Sequence, residues 1–288
     1  MIYLTKKKII NAILAIFLMI FSFYYTDKSI DLIRQSDPIM RQIKESSFKY
    51  KIEAIDAKVD GNTIIPGVVG VDVDYDASYK KMKSYGAYNE SLTVFKEIKP
   101  TVSVDDYYDK YISSGNGVNH EVALVFPVTR DSNISNIVNI LNEKGVTATF
   151  FLDGLWYENN LNYVSTLTPF ELELLSYDNR YDEIYFSSSI NSLATLTSRS
   201  LKFCYAEYDN KEVLELCSKL GLHTIIPTIK VGNYPYTEIK KRLRSSDIIS
   251  LPVNSTTEIE LPIVIDYIKQ KGYNIVTLES LLSESTEK

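Results

Sequence analysis

The chain contains 288 residues, and its 37 acidic side chains outnumber its 31 Lys and Arg residues, which gives a net charge of −6. This length suits one large domain and a smaller one. The acidic balance, with no basic cluster beyond the amino terminus, argues against a nucleic-acid partner.

The amino terminus has the pattern of a membrane anchor. Three lysines at positions 6–8 precede an apolar run over residues 9–25, which is close to the roughly 17 residues that the shortest spanning helices need. No small-x-small cleavage site follows the run, and the positive-inside rule puts the lysines in the cytoplasm. We therefore predict an uncleaved signal anchor over residues 1–26 and a single-pass cell-membrane protein whose bulk is extracytoplasmic. A cleaved signal peptide is an alternative interpretation, and it also places the bulk of the protein outside the cytoplasm. A buried core helix is a third interpretation.

Residues 27–118 predict a stalk followed by a small α+β module. Pro38 interrupts a helical spacing of apolar residues, and Asp60-Gly61-Asn62 is typical of a hairpin turn. Val71 and Val73 alternate with acidic residues, as in a strand with one polar face. A further helix is predicted near residues 79–84 and a further strand near 94–98.

Residues 119–283 alternate short apolar runs with helical patterns. The predicted strands cover residues 122–126, 148–152, 184–187, 201–205, 224–227, 248–251 and 274–278. Helix signals between them include Asn133 and Asn210 as amino-terminal caps, Gly145 and Gly221 as stops, and Pro262 in a first turn. Such alternation indicates a parallel sheet with right-handed crossovers. Seven strands favour a closed barrel over an open sheet.

The cysteines and histidines are few. Cys204 and Cys217 are most simply two small buried apolar residues, and a disulfide stays open for an exported protein because pairing cannot be read from sequence. The two histidines are His120, before the first predicted strand, and His223, after a helix stop. Barrel sites form at the carboxyl ends of strands, so neither histidine lies where catalysis is expected.

Two segments resemble the opening and the ending of the polysaccharide deacetylase (NodB-homology) family. The first contains Val122-Ala-Leu-Val-Phe-Pro-Val-Thr and Ala148-Thr-Phe-Phe-Leu-Asp-Gly, and the second begins Leu261-Pro-Ile-Val-Ile-Asp-Tyr-Ile. The resemblance implies an α/β fold with a deformed (β/α)7 barrel over residues 119–283 and a tail at 284–288. It also implies action on acetylated sugars outside the cytoplasm.

The same resemblance implies metal-assisted hydrolysis of an N-acetyl group. A divalent metal such as zinc, held by one Asp and two His, activates water, while a second Asp and a late His carry protons. This chain departs from the pattern at each position. The two Asp positions hold Pro127 and Val128, the His pair falls on Leu175 and Asn179, and the late His falls near Pro252. A degenerate member without catalytic residues, metal ligands or a cofactor is therefore expected.

Some polar and aromatic residues near the predicted strand ends are pocket candidates: Asp131, Asp153, Asp178, Lys202 and Tyr205, with Tyr157, Tyr177 and Tyr181 as further aromatic surface. Three carboxylates together suit a hard cation, although charges at helix amino termini and in solvated loops are the simpler explanation. Two hypotheses follow. The first is a membrane-anchored pseudoenzyme that binds a cell-wall glycan or an envelope protein. The second is a divergent carbohydrate N-deacetylase that hydrolyses the C–N amide bond at a relocated site.

Overall fold

The structure is a computed structural model that describes residues 6–285, without the side chains of residues 6–9, 27, 30 and 31. The first residues of the predicted anchor (1–5) and the last of the predicted tail (286–288) lie outside the described residues. The chain divides into two compact units, one of Met1–Glu53 with Gly70–Ile98 and one of Ala54–Val69 with Lys99–Lys288.

The helices and strands are numbered in chain order. The helices are α1 (Lys6–Ser36), α2 (Pro38–Ser47), α3 (Tyr75–Tyr85), α4 (Ser135–Lys144), α5 (Gly154–Asn159), α6 (Leu161–Val164), α7 (Glu183–Thr197), α8 (Lys211–Lys219), α9 (Pro235–Arg242), α10 (Ser255–Gln270) and α11 (Leu278–Leu282). The strands are β1 (Lys58–Asp60), β2 (Thr63–Ile65), β3 (Gly70–Val73), β4 (Phe95–Ile98), β5 (Tyr111–Ile112), β6 (Glu121–Val128), β7 (Thr149–Asp153), β8 (Glu171–Ser176), β9 (Phe203–Tyr205), β10 (His223–Ile225), β11 (Ile229–Lys230), β12 (Ile248–Ser250) and β13 (Asn274–Val276).

The first unit joins α1, α2 and α3 to the antiparallel pair β3–β4. The predicted break before Pro38 is confirmed, because the Asp37 side chain accepts a hydrogen bond from the backbone N–H of Ile39 at 2.9 Å and caps α2. The predicted apolar span over residues 9–25 lies within α1. Its first residue is one of those whose side chains the structure does not describe. Within the part of the chain that the structure describes, no helix combines the length and the apolar content needed to cross a membrane.

The second unit is built on a mostly parallel sheet with the order β1-β2-β5-β10-β9-β8-β7-β6-β12-β11, and β13 also pairs with β6. The predicted parallel α/β fold is confirmed. Among the described residues β1 and β11 stand at the two ends of this order and do not pair, so the sheet is a half-barrel and not the closed barrel that seven strands favoured. β1, β2 and β5 extend its edge, which is why residues 54–69 and 99–118, assigned by the sequence to the small module, lie in the barrel unit.

Both faces of the sheet are apolar. Along β6, Val122, Leu124 and Phe126 pack outward in the core beneath the helices. Ala123 and Val125 belong to the second cluster, on the inner face, which Leu278, Leu281 and Leu282 of α11 help to fill. A strand buried on both faces reads as a continuous apolar run, which is the pattern that made β6 and β7 predictable.

Three predicted local features are wrong. Residues 184–187 lie in α7, because the Asp182 side chain accepts hydrogen bonds from the N–H groups of Ile184 and Tyr185 and starts a helix there. The sequence did not predict β8 (Glu171–Ser176), which is a strand in the structure. Pro262 lies inside α10 and not in its first turn, since the Asn254 side chain caps that helix at the N–H of Thr257.

The two cysteines form a disulfide. Cys204 in β9 and Cys217 in α8 are both fully buried, and their Cα atoms are 6.3 Å apart. The simpler interpretation from sequence, two unpaired apolar residues, is therefore wrong. Spacing along the chain did not show that α8 packs its inward face directly against β9.

Candidate functional site

We call the carboxyl ends of β6, β7, β8, β9 and β12, with the loops that follow them, the mouth of the half-barrel. Two of the residues that the sequence resemblance assigns to metal positions are apolar and lie on β6 and β8. Val128 is fully buried in the outer core, and Leu175 is buried in the inner cluster with Phe151 and Tyr205. Pro127 is partly exposed on the neighbouring position of β6. None of these side chains offers a metal ligand or carries a proton.

Asp153, the buried carboxylate at the end of β7, is committed to structural hydrogen bonds. Its Oδ1 accepts from the N–H groups of Leu155 and Trp156 at the start of α5, at 3.1 and 3.4 Å. Its Oδ2 accepts from the hydroxyl of Ser176 at 2.7 Å. The N–H groups of Asp178 and Asn179 complete the set at 3.2 and 2.9 Å. The carboxylate therefore fastens α5 and the loop after β8 to the end of β7.

The loop after β8 is a tight turn. Tyr177 and Arg180 pair across it, and Asp178 and Asn179 between them have φ of 52° and 58°, a left-handed conformation in which Asn and Asp are the least strained non-glycine residues. Asn179 therefore suits the turn, and its N–H binds Asp153. The Asp178 carboxylate forms ion pairs with Arg130 and Arg180, both at 2.9 Å.

The three candidate carboxylates do not form a cation site. Asp153 accepts hydrogen bonds from backbone N–H groups and from Ser176. Asp178 forms ion pairs with two arginines, and Asp131 is exposed in the loop after β6. Among the described residues no group of three His, Cys, Asp or Glu side chains is placed to hold a metal ion. Zinc requires nitrogen, sulfur or carboxylate donors in a close tetrahedral set. The residues at the mouth therefore do not fit that metal.

The tyrosines near the mouth fall into two groups. Tyr157 and Tyr205 are buried, and the Tyr205 hydroxyl pairs with that of Ser250 at 2.8 Å. Burial raises the pKa of Tyr205 to about 12, so the phenol stays neutral at physiological pH. Tyr177 stacks on Tyr185 with ring centroids 5.0 Å apart, and Tyr185 is exposed at the start of α7. The stack is thus an aromatic surface that solvent reaches.

Lys202 lies away from the mouth. It immediately precedes β9, at the amino ends of the strands, and its ammonium group contacts the Glu279 carboxylate. Pro252 directly follows β12 but offers no polar group. The structure therefore gathers Asp153, Asp178 and Asn179 at the mouth and separates Lys202 from them. Sequence reasoning missed Arg130, Arg180 and Tyr185, which have no motif and become neighbours of the mouth only through β8 and α7.

No protein-family model matches this chain. The uncharacterized protein YlxY of Bacillus subtilis (strain 168) is 22% identical over 278 residues, which cover 89% of this chain and 87% of that protein.

Several solved structures that share the fold are described as members of carbohydrate esterase family 4 (CE4). Wild-type BA3943 from Bacillus anthracis, described as a CE4 family pseudoenzyme, superposes with a TM-score of 0.65 at 22% identity and covers 87% of this chain and 96% of that chain. A BA3943 mutant described as having restored enzymatic activity gives a TM-score of 0.65 at 22% identity, covering 86% of this chain and 99% of the other. The Bc1960 peptidoglycan N-acetylglucosamine deacetylase gives a TM-score of 0.55 at 20% identity, covering 63% and 97%. The resemblance to polysaccharide deacetylases is thereby confirmed for the fold.

Proposed function

We propose that this deacetylase-like protein is a non-catalytic, membrane-anchored component of the cell envelope whose mouth binds a cell-wall glycan. One observation carries the proposal: the fold is that of the CE4 deacetylases, while the residues that the sequence resemblance assigns to their catalytic and metal positions are Pro127, Val128, Leu175, Asn179 and Pro252. Hydrolysis through this fold needs metal ligands and proton carriers, and those side chains provide neither.

One observation supports a location outside the cytoplasm, and a second supports contact with a membrane. Disulfides persist in oxidising compartments and are rare in the cytosol, and Cys204 and Cys217 are bonded. The apolar side chains of α1 between residues 10 and 25 are exposed, with Phe17 and Ile20 each 63% accessible. A contiguous exposed apolar surface favours contact with a membrane or another partner.

The choice of a glycan partner is supported by the surface beside the mouth. The stacked rings of Tyr177 and Tyr185 offer a flat apolar face, on which the C–H face of a sugar ring can lie. Arg130 and Arg180 flank the turn and have exposed side chains that donate hydrogen bonds. An aromatic surface next to fixed donors suits a polyhydroxylated ligand.

The absence of hydrolysis is tested with the full-length protein in detergent, zinc, and either acetylated chitooligosaccharide or peptidoglycan. We expect no metal-dependent acetate release above the blank, while an active CE4 deacetylase run in parallel releases acetate. Zinc-dependent acetate release by this protein, abolished by a chelator, would overturn the proposal in favour of the relocated-site hydrolase.

Glycan binding is tested by co-sedimentation with purified peptidoglycan. Tyr185→Ala removes half of the aromatic stack, so we expect it to weaken binding several-fold. Ile184→Ala is the matched control, because Ile184 is 78% exposed on the same helix and outside the stack. Equal binding by both variants and the wild type would show that the mouth does not bind the glycan. An envelope protein would then be the remaining candidate partner of the mouth.

A further inference from the structure

The helices α9 and α10 carry a basic and aromatic cluster on their outer surface. The rings of Tyr236 in α9 and Tyr267 in α10 meet edge to face, with centroids 5.6 Å apart. The ammonium group of Lys240 lies 5.5 Å from the centroid of the Tyr236 ring, and that of Lys271 lies 5.5 Å from the centroid of the Tyr267 ring. We call these four residues the Lys–Tyr cluster. The sequence analysis did not identify it, because Lys271 joins Lys240 only through the fold.

The two lysines of the cluster are available to an anionic partner. Both are exposed, as is the adjacent Lys241. A cation–π contact holds an ammonium group in place and leaves its charge without a counterion. The carboxylates of the two helices are engaged with other groups: Asp266 with the ammonium group of Lys144, Glu238 with Arg242, Glu260 with the N–H of Tyr236, and Glu258 with the side-chain amide of Asn136.

An exposed apolar stripe adjoins the cluster on α10. Ile259 is 74% exposed and Ile263 is 54% exposed. Residues four positions apart are neighbours on the surface of a helix, and Ile259, Ile263 and Tyr267 follow one another at this spacing, with Lys271 four positions further on. The surface therefore passes from apolar to aromatic to cationic side chains along one helix.

This combination of side chains discriminates between kinds of partner. An anionic polymer, such as a chain of phosphodiesters, neutralises lysines but gains little from covering isoleucines, because it offers no apolar surface. A second copy of the chain would cover the isoleucines, but a two-fold contact places the same surface on itself and brings the lysines of both copies together.

A bilayer with anionic headgroups suits all three kinds of side chain. Lysines near such a surface are attracted to the headgroups, and tyrosine rings are enriched at the membrane interface. Exposed isoleucines on a helix that lies along the interface enter the boundary of the acyl chains.

We propose that Ile259, Ile263 and the Lys–Tyr cluster form a surface that docks the barrel unit on an anionic phospholipid bilayer. The inference goes beyond glycan binding, because none of these residues belongs to the mouth. It also does not require α1 as an anchor, since the surface recognises a bilayer that the protein meets from solution.

The proposal is tested by tryptophan fluorescence of the full-length protein with lipid nanodiscs whose acyl chains are brominated and quench any tryptophan that reaches them. Ile259→Trp reports on the surface, and Ile184→Trp is the matched control, because Ile184 is 78% exposed on α7. The natural Trp156 is 4% exposed, and the wild type gives its signal. With phosphatidylglycerol and phosphatidylcholine in equal parts, we expect quenching of Ile259→Trp alone. With phosphatidylcholine only, neither variant should be quenched.

Charge recognition is tested in the Ile259→Trp protein. Each lysine near an anionic surface is worth about fivefold in binding, so Lys240→Gln with Lys271→Gln should lower the docking constant roughly thirtyfold. Raised salt should act in the same direction. Lys211→Gln with Lys219→Gln removes the same two charges from exposed positions of α8 and should leave the quenching unchanged.

Three results would overturn the proposal. The first is equal quenching of Ile259→Trp and Ile184→Trp, and the second is quenching that does not respond to phosphatidylglycerol. The third is a dimer, detected by sedimentation without lipid, that Ile259→Asp separates into monomers, since it would identify a second copy as the occupant.

Glycan binding at the mouth fails or holds separately. Tyr185→Ala should weaken peptidoglycan binding and leave the quenching unchanged, whereas Lys240→Gln with Lys271→Gln should do the reverse.

Discussion

Asp153 and Glu173 are buried carboxyl groups on neighbouring strands, and their partners assign them structural roles. Asp153 accepts from four N–H groups and one hydroxyl. Glu173 accepts from the N–H groups of Lys202 and Phe203 at 3.0 to 3.1 Å, which fixes the start of β9. Both side chains bind backbone N–H groups of neighbouring segments. Their removal should therefore lower the free energy of unfolding.

Asp153→Ala should lower the free energy of unfolding by roughly 3 kcal/mol, because it removes a helix cap and leaves buried N–H groups without an acceptor. Urea unfolding followed by circular dichroism measures the change. Asp131→Ala is the control, since Asp131 is exposed and its loss should change stability by less than about 0.5 kcal/mol. A variant at position 153 as stable as the control would show that Asp153 does not fasten the mouth.

Glu173 should give the protein a pH-dependent stability. Its complete burial, followed by the nearby Glu171, raises its pKa well above the ordinary value. The folded state then binds a proton that the unfolded state has released, so stability is fully present below the unfolded pKa of about 4.3 and falls as pH rises towards the folded pKa. Each unit of elevation corresponds to about 1.4 kcal/mol.

Glu173→Gln removes this titration and keeps the acceptor oxygen. We expect its unfolding free energy to fall less than that of the wild type between pH 4.5 and pH 8. A residual slope should remain, because burial also raises the pKa of Glu171. Glu215→Gln, on the exposed face of α8, should keep the wild-type slope. Parallel profiles for all three proteins would contradict a raised pKa at Glu173.

At the scale of the elements, strands with continuous apolar runs were predictable and β8 was not. Leu172 and Leu174 alternate with Glu171 and Glu173, whose buried carboxylates make β8 resemble an exposed polar segment. Their partners come from the start of α11 and of β9, which sequence spacing does not reveal. The run in α7 was misassigned because Asp182, a local cap, outweighs its strand-like composition.

The disulfide ties β9 to α8, and its removal should destabilise the second unit. The cysteines are 13 residues apart, and closing a loop of about 15 residues is worth about 3 kcal/mol in the chain-entropy account. Cys204→Ala with Cys217→Ala should lower the unfolding free energy by about 2–4 kcal/mol.

Dithiothreitol provides the control for the disulfide. It should lower the urea midpoint of the wild type and leave the double alanine variant unchanged. Alkylation of two thiols in the freshly purified, unfolded wild type without reductant would mean that the bond does not form in the cell.

At the scale of the whole molecule, the sequence predicted that catalytic residues and metal ligands are missing, but it did not predict which residues form the binding surfaces. The resemblance alone predicts that Pro127, Val128 and Leu175 replace functional residues of the family, because the chemistry of each side chain can be read from one position of the sequence. The stack of Tyr177 on Tyr185 and the pairing of Tyr236 with Tyr267 join residues from separate elements. Such neighbours require the fold, so the binding surfaces proposed for this protein came from the structure.

If residues 9–25 are a membrane anchor, loss of the anchor should change both the location of the protein and the redox state of Cys204 and Cys217. Phe17→Arg puts a charge in the middle of the predicted span and should disfavour insertion by about 2.5–3.5 kcal/mol, moving the protein from the carbonate-washed membrane pellet to the soluble fraction. Protein retained in the cytoplasm should also carry Cys204 and Cys217 as thiols, which alkylation detects. Ile184→Arg, at an exposed apolar position of α7, should leave the protein oxidised and in the pellet. If Phe17→Arg also stays there with its disulfide intact, residues 9–25 are not the anchor.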